Sequence, residues 1–276
     1  MARQGAYGRQ PRSISSKPDS YARSAMGYSP RQYWEDVGER LGERNENRLL
    51  AGEESPFYAV KREMFLDRLL RPAIEAGDRR VLEVGCGPGG SMEWLEERDI
   101  QILGLDLSSA MLHAARQSGM TRLVQGDATA LPIASRAVDS AITVTVLQHN
   151  DDNAAARIVA ELARVARSRV HLFEDTGALA IHDRSSHWLR KPDWYEAEFR
   201  RSGYRLDAKQ RLPLTCSELL ANGLRTVARR RQPEGAAIPA NQTRLEARLL
   251  GFTTRVDKVV PPAMGLTRMS FRRSQG

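Results

Sequence analysis

Apolar positions recur along this chain with two periods, and the switches between them mark out its elements. Val81, Leu82 and Val84 form an aliphatic run of the kind buried inside a sheet, and QILGLD, from Gln101, repeats it. RLVQGDA, VDSAITVTVL, VHLFED, YRLDAKQRLPL and GLTRMSFRR extend the series to seven predicted strands. Between strands the period lengthens: NAAARIVAELARVARSR puts Ile158, Leu162 and Val165 on one helical face, and DWYEAEFRRSG reads as a further helix. Upstream, PRQYWEDVGERLGERNENRLL begins a helix at Pro30, with Glu35 and Asp36 in early turns where the helix dipole favours acids. Phe57, Val60, Met64, Phe65 and Leu69 space out a second helix that Gly77 ends. Two more, CSELLANGLRTVARR and NQTRLEARLLGFTTRV, flank the linker QPEGAAIPA between the sixth and seventh strands.

Strands alternating with helices predict an α/β fold on a doubly wound, mostly parallel seven-stranded sheet, with ligands beyond the carboxyl ends of the strands. The expected organisation is a disordered basic tail over 1–28, a helical lid over 29–78 and a main domain over 79–276 with a helical insertion at about 215–260. The tail has too few aliphatic side chains to offset ordering. The insertion is expected to shape a pocket or an oligomer contact; the oligomeric state itself stays open. A chain of 276 residues, 41% hydrophobic, can bury one core plus appendages. Cys86 and Cys216 build neither a disulfide framework nor a cysteine metal cage, which points to a reducing cytoplasm. No apolar run nears the roughly 18 residues that span a bilayer, so no membrane partner is expected. The net charge of +8 is uneven: residues 1–30 hold five Lys/Arg against one Asp, and 215–276 hold eleven against four acids. These flanks leave contact with RNA or DNA open beside an ordinary solvated surface.

Candidate chemistry gathers after the first strand. Gly85, Gly87, Gly89 and Gly90 remove Cβ atoms where a ligand would approach bare backbone. Three of them, Gly85, Gly87 and Gly90, also satisfy the G-x-G-x-x-G fingerprint of nicotinamide and flavin enzymes. Asp106 follows Glu83 by 23 residues, near the spacing at which a βαβ unit offers a carboxylate to a ribose diol. Helix capping by Asp106 and plain turn chemistry at Asp127 remain alternative duties.

Four motifs in order, EVGCGPG (Glu83 to Gly89), GLDLS (Gly104 to Ser108), GDATALP (Gly126 to Pro132) and VDSAITVTVLQH (Val138 to His149), resemble the class I S-adenosylmethionine-dependent methyltransferases, the small-molecule-modifying branch in particular. The match is good from Val81 to Asp175 and loose on both flanks. The resemblance implies a Rossmann-like sheet with a last strand antiparallel to the rest, S-adenosyl-L-methionine as cofactor and a small-molecule acceptor. It assigns the methionine end of the cofactor to Glu83 and the backbone at Gly85 and Gly87. The ribose hydroxyls fall to Asp106, and the adenine to Asp127 and the Ala128 amide. Cys86, Gly89 and Leu107 complete the implied cofactor contacts.

On the acceptor side, His149 is the candidate general base for a hydroxyl, since imidazole titrates near neutral pH. Tyr58, Arg62, Gln148, His182 and His187 are candidate acceptor contacts. Tyr33, Trp34 and Phe57 would line a lid that excludes water, and Lys61 or Arg62 would reach the cofactor carboxylate or an anionic acceptor. Asp183 or Glu174 would orient a loop histidine. No tight metal-ligand spacing is present, and no metal is expected. The preferred acceptor is a sugar or polyketide hydroxyl. A nucleic-acid methyltransferase is the alternative, against which the fourth strand lacks both an N/D-P-P-aromatic signature and a nucleophilic cysteine. A catalytically silent cofactor-binding subunit is the third class.

Overall fold

A computed structural model describes residues 29–41, 55–74, 77–177, 181–183, 187–229 and 240–274. The tail over 1–28, residues 42–50 of the first expected helix and most of the QPEGAAIPA linker lie outside the described residues.

The central strand β1 (Arg80–Val84) pairs in parallel with β2 (Gln101–Asp106) on one side and with β4 (Val138–Val144) on the other. With β3 (Leu123–Gln125), β5 (Ala166–Gly177), β8 (Tyr204–Arg211) and β9 (Met264–Arg273), they form a seven-stranded sheet of order β3-β2-β1-β4-β5-β9-β8. β9 runs antiparallel to both neighbours, as the resemblance implied. The chain winds outward from β1 to β3 and then back past β1 to β4 and β5, so strand order reverses between β1 and β4. A crevice opens there at the carboxyl ends.

Alternation along β1 fills two core layers. Leu82 and Val84 pack with Leu105, Leu162, Val170 and Phe271 on one face, and Val81 packs with Leu69, Met92, Ile102 and Phe173 on the other. A parallel strand covered on both faces draws apolar residues to both, which is why Val81, Leu82 and Val84 are all aliphatic. Glu83 shares the face of Val81, so the same alternation puts a carboxylate inside the protein.

Helices cover both faces: α1 (Pro30–Leu41), α2 (Pro56–Met64), α3 (Arg71–Ile74), α4 (Gly90–Glu96), α5 (Ser109–Gln117), α6 (Asp152–Val165), α7 (Pro192–Arg201), α8 (Thr215–Arg229) and α9 (Ala240–Val256). Ser55 caps α2 by accepting from the Tyr58 amide at 3.4 Å, and Pro56 occupies the first turn, where no donor is missed. A π-helical turn, Phe65–Leu70, joins α2 to α3 just ahead of Pro72, which has no N–H to return to that turn. Among the described residues no helix is long and apolar enough to cross a membrane.

Several boundaries differ from the sequence reading. α6 ends at Val165 and not Arg169, because Arg167 and Ser168 donate to the carbonyls of Arg136 and Asp139 and hold an extended backbone. β4 stops at Val144, where Thr145 turns to φ 55° and a short 3₁₀ turn, Leu147–His149, begins. The expected loop IHDRSSHW carries a small antiparallel pair, β6 (Ile181–Asp183) and β7 (His187–Leu189). Glu35 does not serve the first turn of its own helix. Its carboxylate accepts from the Ser109 amide at 2.9 Å and the Ala110 amide at 3.2 Å, so it caps α5 and binds α1 there. Gly38 makes this approach possible, since a Cβ there would lie 2.8 Å from the Met111 nitrogen.

Candidate active site

The crevice is a cavity of about 730 Å³, bordered by the glycine bend, the ends of β2 and β4, α1, α2 and α8. The amides of Gly85 and Cys86 donate to the Leu105 carbonyl at 2.7 and 3.1 Å, folding the bend back against β2. Gly85 adopts φ 73°, and a Cβ on it would lie 2.3 Å from Val146 Cγ2; Gly87, at φ 52°, faces open space. The first is a packing requirement. The second leaves bare backbone at the cavity wall. Gly89 is not in the wall: its left-handed backbone turns the chain into α4.

Asp106 closes the bend electrostatically. Its Oδ2 accepts from the Gly87 amide at 2.8 Å and its Oδ1 from the Ser108 amide at 2.9 Å, so it helps hold the next turn while bordering the cavity. Leu107 borders the cavity beside it. At Asp127 the turn chemistry is present: Oδ1 accepts from both the amide and the hydroxyl of Thr129 at 2.8 Å. Asp127 and Ala128 also line the wall.

Burial sets the charges here. Glu83 is almost fully buried; its Oε1 accepts from the Ser91 hydroxyl, while its Oε2 is buried with no hydrogen-bond partner. Desolvation, with Asp106 nearby, outweighs the Ser91 hydroxyl and pushes the Glu83 carboxyl up to about 8. Asp106 is raised for the same first reason, against the amides that lower it. Burial also raises the Cys86 thiol well above its ordinary value, so it stays protonated.

The opposite half carries the acceptor-side candidates. Glu174, at the buried end of β5, does not orient a loop histidine: it accepts from the amides of Val146, Leu147 and Gln148 at 3.1 to 3.3 Å and from the Thr143 hydroxyl at 3.1 Å. This carboxylate, pushed up to about 7 by burial, fixes the turn that presents Gln148 and His149. The His149 ring lies 4.9 Å from the Trp34 ring and 5.6 Å from that of His187, both edge-on. Tyr33, Trp34, Tyr58, Gln148, His149 and His187 all border the cavity; Phe57 is in the core instead. His182 sits on β6 with its side chain outside the described residues.

Arg62 does not reach the wall, but Lys61 does. Neighbours on a helix point roughly 100° apart, so only one of the two cations can face inward. Lys61 Nζ lies 3.3 Å from Asp175 Oδ1 and 3.2 Å from Glu218 Oε1. Burial works against its charge, yet the two acids outweigh it and hold the amine above its ordinary range. Glu218 and Asn222 bring the helical insertion into the wall. Neither was picked out in the sequence, where no local pattern links them to Lys61.

Residues 81–169 match the family described as methyltransferase domain. A malonyl-[acyl-carrier protein] O-methyltransferase of Serratia marcescens is 31% identical over 140 residues, 50% of this chain and 54% of that protein. A ubiquinone biosynthesis O-methyltransferase of Hahella chejuensis is 35% identical over 104 residues, 36% of this chain and 43% of that protein. Over these stretches the chain is similar to methyltransferases. It spans about half the length, or less, of these curated relatives. The fold likeness extends beyond the matched stretch: the [4+2]-cyclase SpnF superposes with a TM-score of 0.64 at 18% identity, over 94% of this chain and 98% of that one. A cyclase on the same fold means that the reaction has to be argued from the site.

Proposed function

We propose that this chain transfers the methyl group of S-adenosylmethionine to a hydroxyl of a small molecule, a sugar or polyketide-like compound, in the cavity beyond β1 and β4. The observation that carries the reading is the Glu83 carboxylate, buried with one oxygen unmatched beside a Cβ-free bend. That oxygen suits the ammonium of the donor's methionine end, with bare backbone at Gly85 and Gly87 against its chain. Cys86 and Leu107 border the same half of the cavity, where Asp106 would accept from the ribose hydroxyls and Asp127 with the Ala128 amide would read the adenine. When bound, the donor supplies an electrophilic methyl carbon on a sulfonium.

His149 takes the proton of the acceptor hydroxyl as the new oxygen–methyl bond forms and the sulfur–methyl bond breaks. Glu174 keeps that base in place through the turn's backbone, and Gln148 ties the turn to β5 by accepting from the Asp175 amide at 3.0 Å. Tyr33 and Trp34 on α1 close the site against water, and holding the hydroxyl in line with the sulfur–methyl bond supplies much of the acceleration. Tyr58 and His187 contact the acceptor.

The two thiols, Cys86 and Cys216, are both free, which fits a cytoplasmic setting. Five acids and one lysine line the cavity and no arginine does among the described residues, which weighs against a nucleic-acid phosphate backbone there. The test is turnover with labelled donor. At saturating donor, His149→Ala is expected to keep donor affinity and show a roughly hundredfold or greater fall in turnover. Unchanged turnover at every pH refutes the base assignment.

A further inference from the structure

The turn that carries His149 is gripped from two sides by groups of opposite kind. Glu174 accepts from its amides, and the Arg190 guanidinium serves its carbonyls: Nη1 donates to the Leu147 carbonyl at 2.8 Å and Nη2 to the Asn150 carbonyl at 2.6 Å. Those two carbonyls bracket Gln148 and His149, and a turn of three residues satisfies few of its own acceptors. The third edge of the guanidinium, Nε, donates to Asp152 Oδ1 at 2.9 Å at the start of α6, and its face lies 4.6 Å from the centre of the Trp194 ring on α7. Arg190 is only 4% exposed, so its bonds to the carbonyls are made away from water, where a charged donor is strongest.

The same residue ties that turn to a second segment. Arg190 directly follows β7 and forms a bridge with Thr176 of β5. β7 carries His187, whose ring meets the His149 ring at 5.6 Å. Two imidazoles from separate parts of the chain are thus seated against each other by one planar group. Both border the cavity and Arg190 does not, so any influence it has on an occupant passes through the residues it holds. A lysine would keep the charge but not the rigid fork that reaches two carbonyls and a carboxylate together.

We infer that Arg190 is a positioning residue for methyl transfer, which fixes His149 against His187 so that the acceptor hydroxyl meets the base in line with the donor's methyl group. This inference rests on the methyl-transfer reading above.

The experiment measures label incorporation by the full chain from methyl-labelled donor, at saturating donor, into a fixed small-molecule cell extract. Arg190→Lys should lower the rate about tenfold to a hundredfold, the cost of misplacing a reacting group by about an ångström. Its affinity for S-adenosylhomocysteine should stay within about twofold of the unaltered chain, because the donor half is untouched. In a His149→Ala background the same substitution should cost no more than about a further twofold, since the group it positions is already gone. An unchanged rate in Arg190→Lys overturns the inference, and so does an equal loss in both backgrounds, which would mark a general structural role. If Arg190→Lys does not bind S-adenosylhomocysteine, Arg190→Ala supplemented with ethylguanidine decides: recovery of the rate with ethylguanidine and not with ethylammonium is expected, and no recovery overturns the positioning role. Amide exchange at His149 and Asn150 should quicken in Arg190→Lys, and unchanged exchange overturns the inference whether or not transfer occurs. Absence of label incorporation by the unaltered chain, with exchange quickened in the variant, overturns the transfer reading and, with it, positioning for transfer, but leaves Arg190 as the clamp of the turn.

Discussion

Donor binding should release a proton, and Glu83 is the source. Burial pushes its carboxyl up to about 8, so at pH 7 most of the ligand-free chain holds that proton. Pairing with the donor's ammonium requires the ionised form. Binding at pH 7 should therefore expel up to one proton, and affinity should improve as pH rises from 6 to 7.5, by at most about tenfold per unit. S-adenosylhomocysteine has the same methionine end and suits calorimetric titration in buffers of different ionisation enthalpy, which counts the protons. Glu83→Gln should bind more weakly, with an affinity flat over that range and no expelled proton. Proton release of equal size in the Gln variant, or a pH-independent affinity in the unaltered chain, refutes the reasoning.

The same group sets a stability trend. Its folded-state pKa lies above the ordinary carboxylate value, so the folded chain keeps a proton that the unfolded chain loses, and ligand-free stability should fall as pH rises from about 5 to 8. Chemical denaturation across that window should show the fall, shallower in Glu83→Gln. Gly85→Ala should destabilise by about 2 kcal/mol or more, because its Cβ meets Val146; Gly87→Ala, which meets nothing, should cost only about 1 kcal/mol of backbone strain. Equal losses in denaturant titrations would remove the packing argument. Glu35→Gln should weaken the seat of α1 on α5 and speed amide exchange at Ser109 and Ala110, and unchanged exchange there would show that the carboxylate does not hold α1.

The glycine side of the cavity was legible because its residues are local. The bend follows β1 directly, Asp106 ends β2 and Asp127 lies two positions past β3, and alternation along β1 is enough to bury Glu83. The opposite side was not, since Lys61, Asp175 and Glu218 are brought together from α2, β5 and α8, and ion pairs between distant elements leave no period in a sequence. Glu35 misled for a similar reason: an acid near a helix start suggests its own dipole, while the amides it serves are 74 and 75 positions away. The β6 and β7 strands, three residues each, are too short to establish an alternation. At Glu174 the type of residue pointed to polar work, but its partners are backbone amides and not the histidines of the loop.

Glu174 and Asp175 are consecutive on β5, and a strand sends consecutive side chains to opposite sides. One steadies the turn that bears His149, and the other meets Lys61. Losing or gaining one residue earlier in β5 would exchange their destinations and undo both contacts at once.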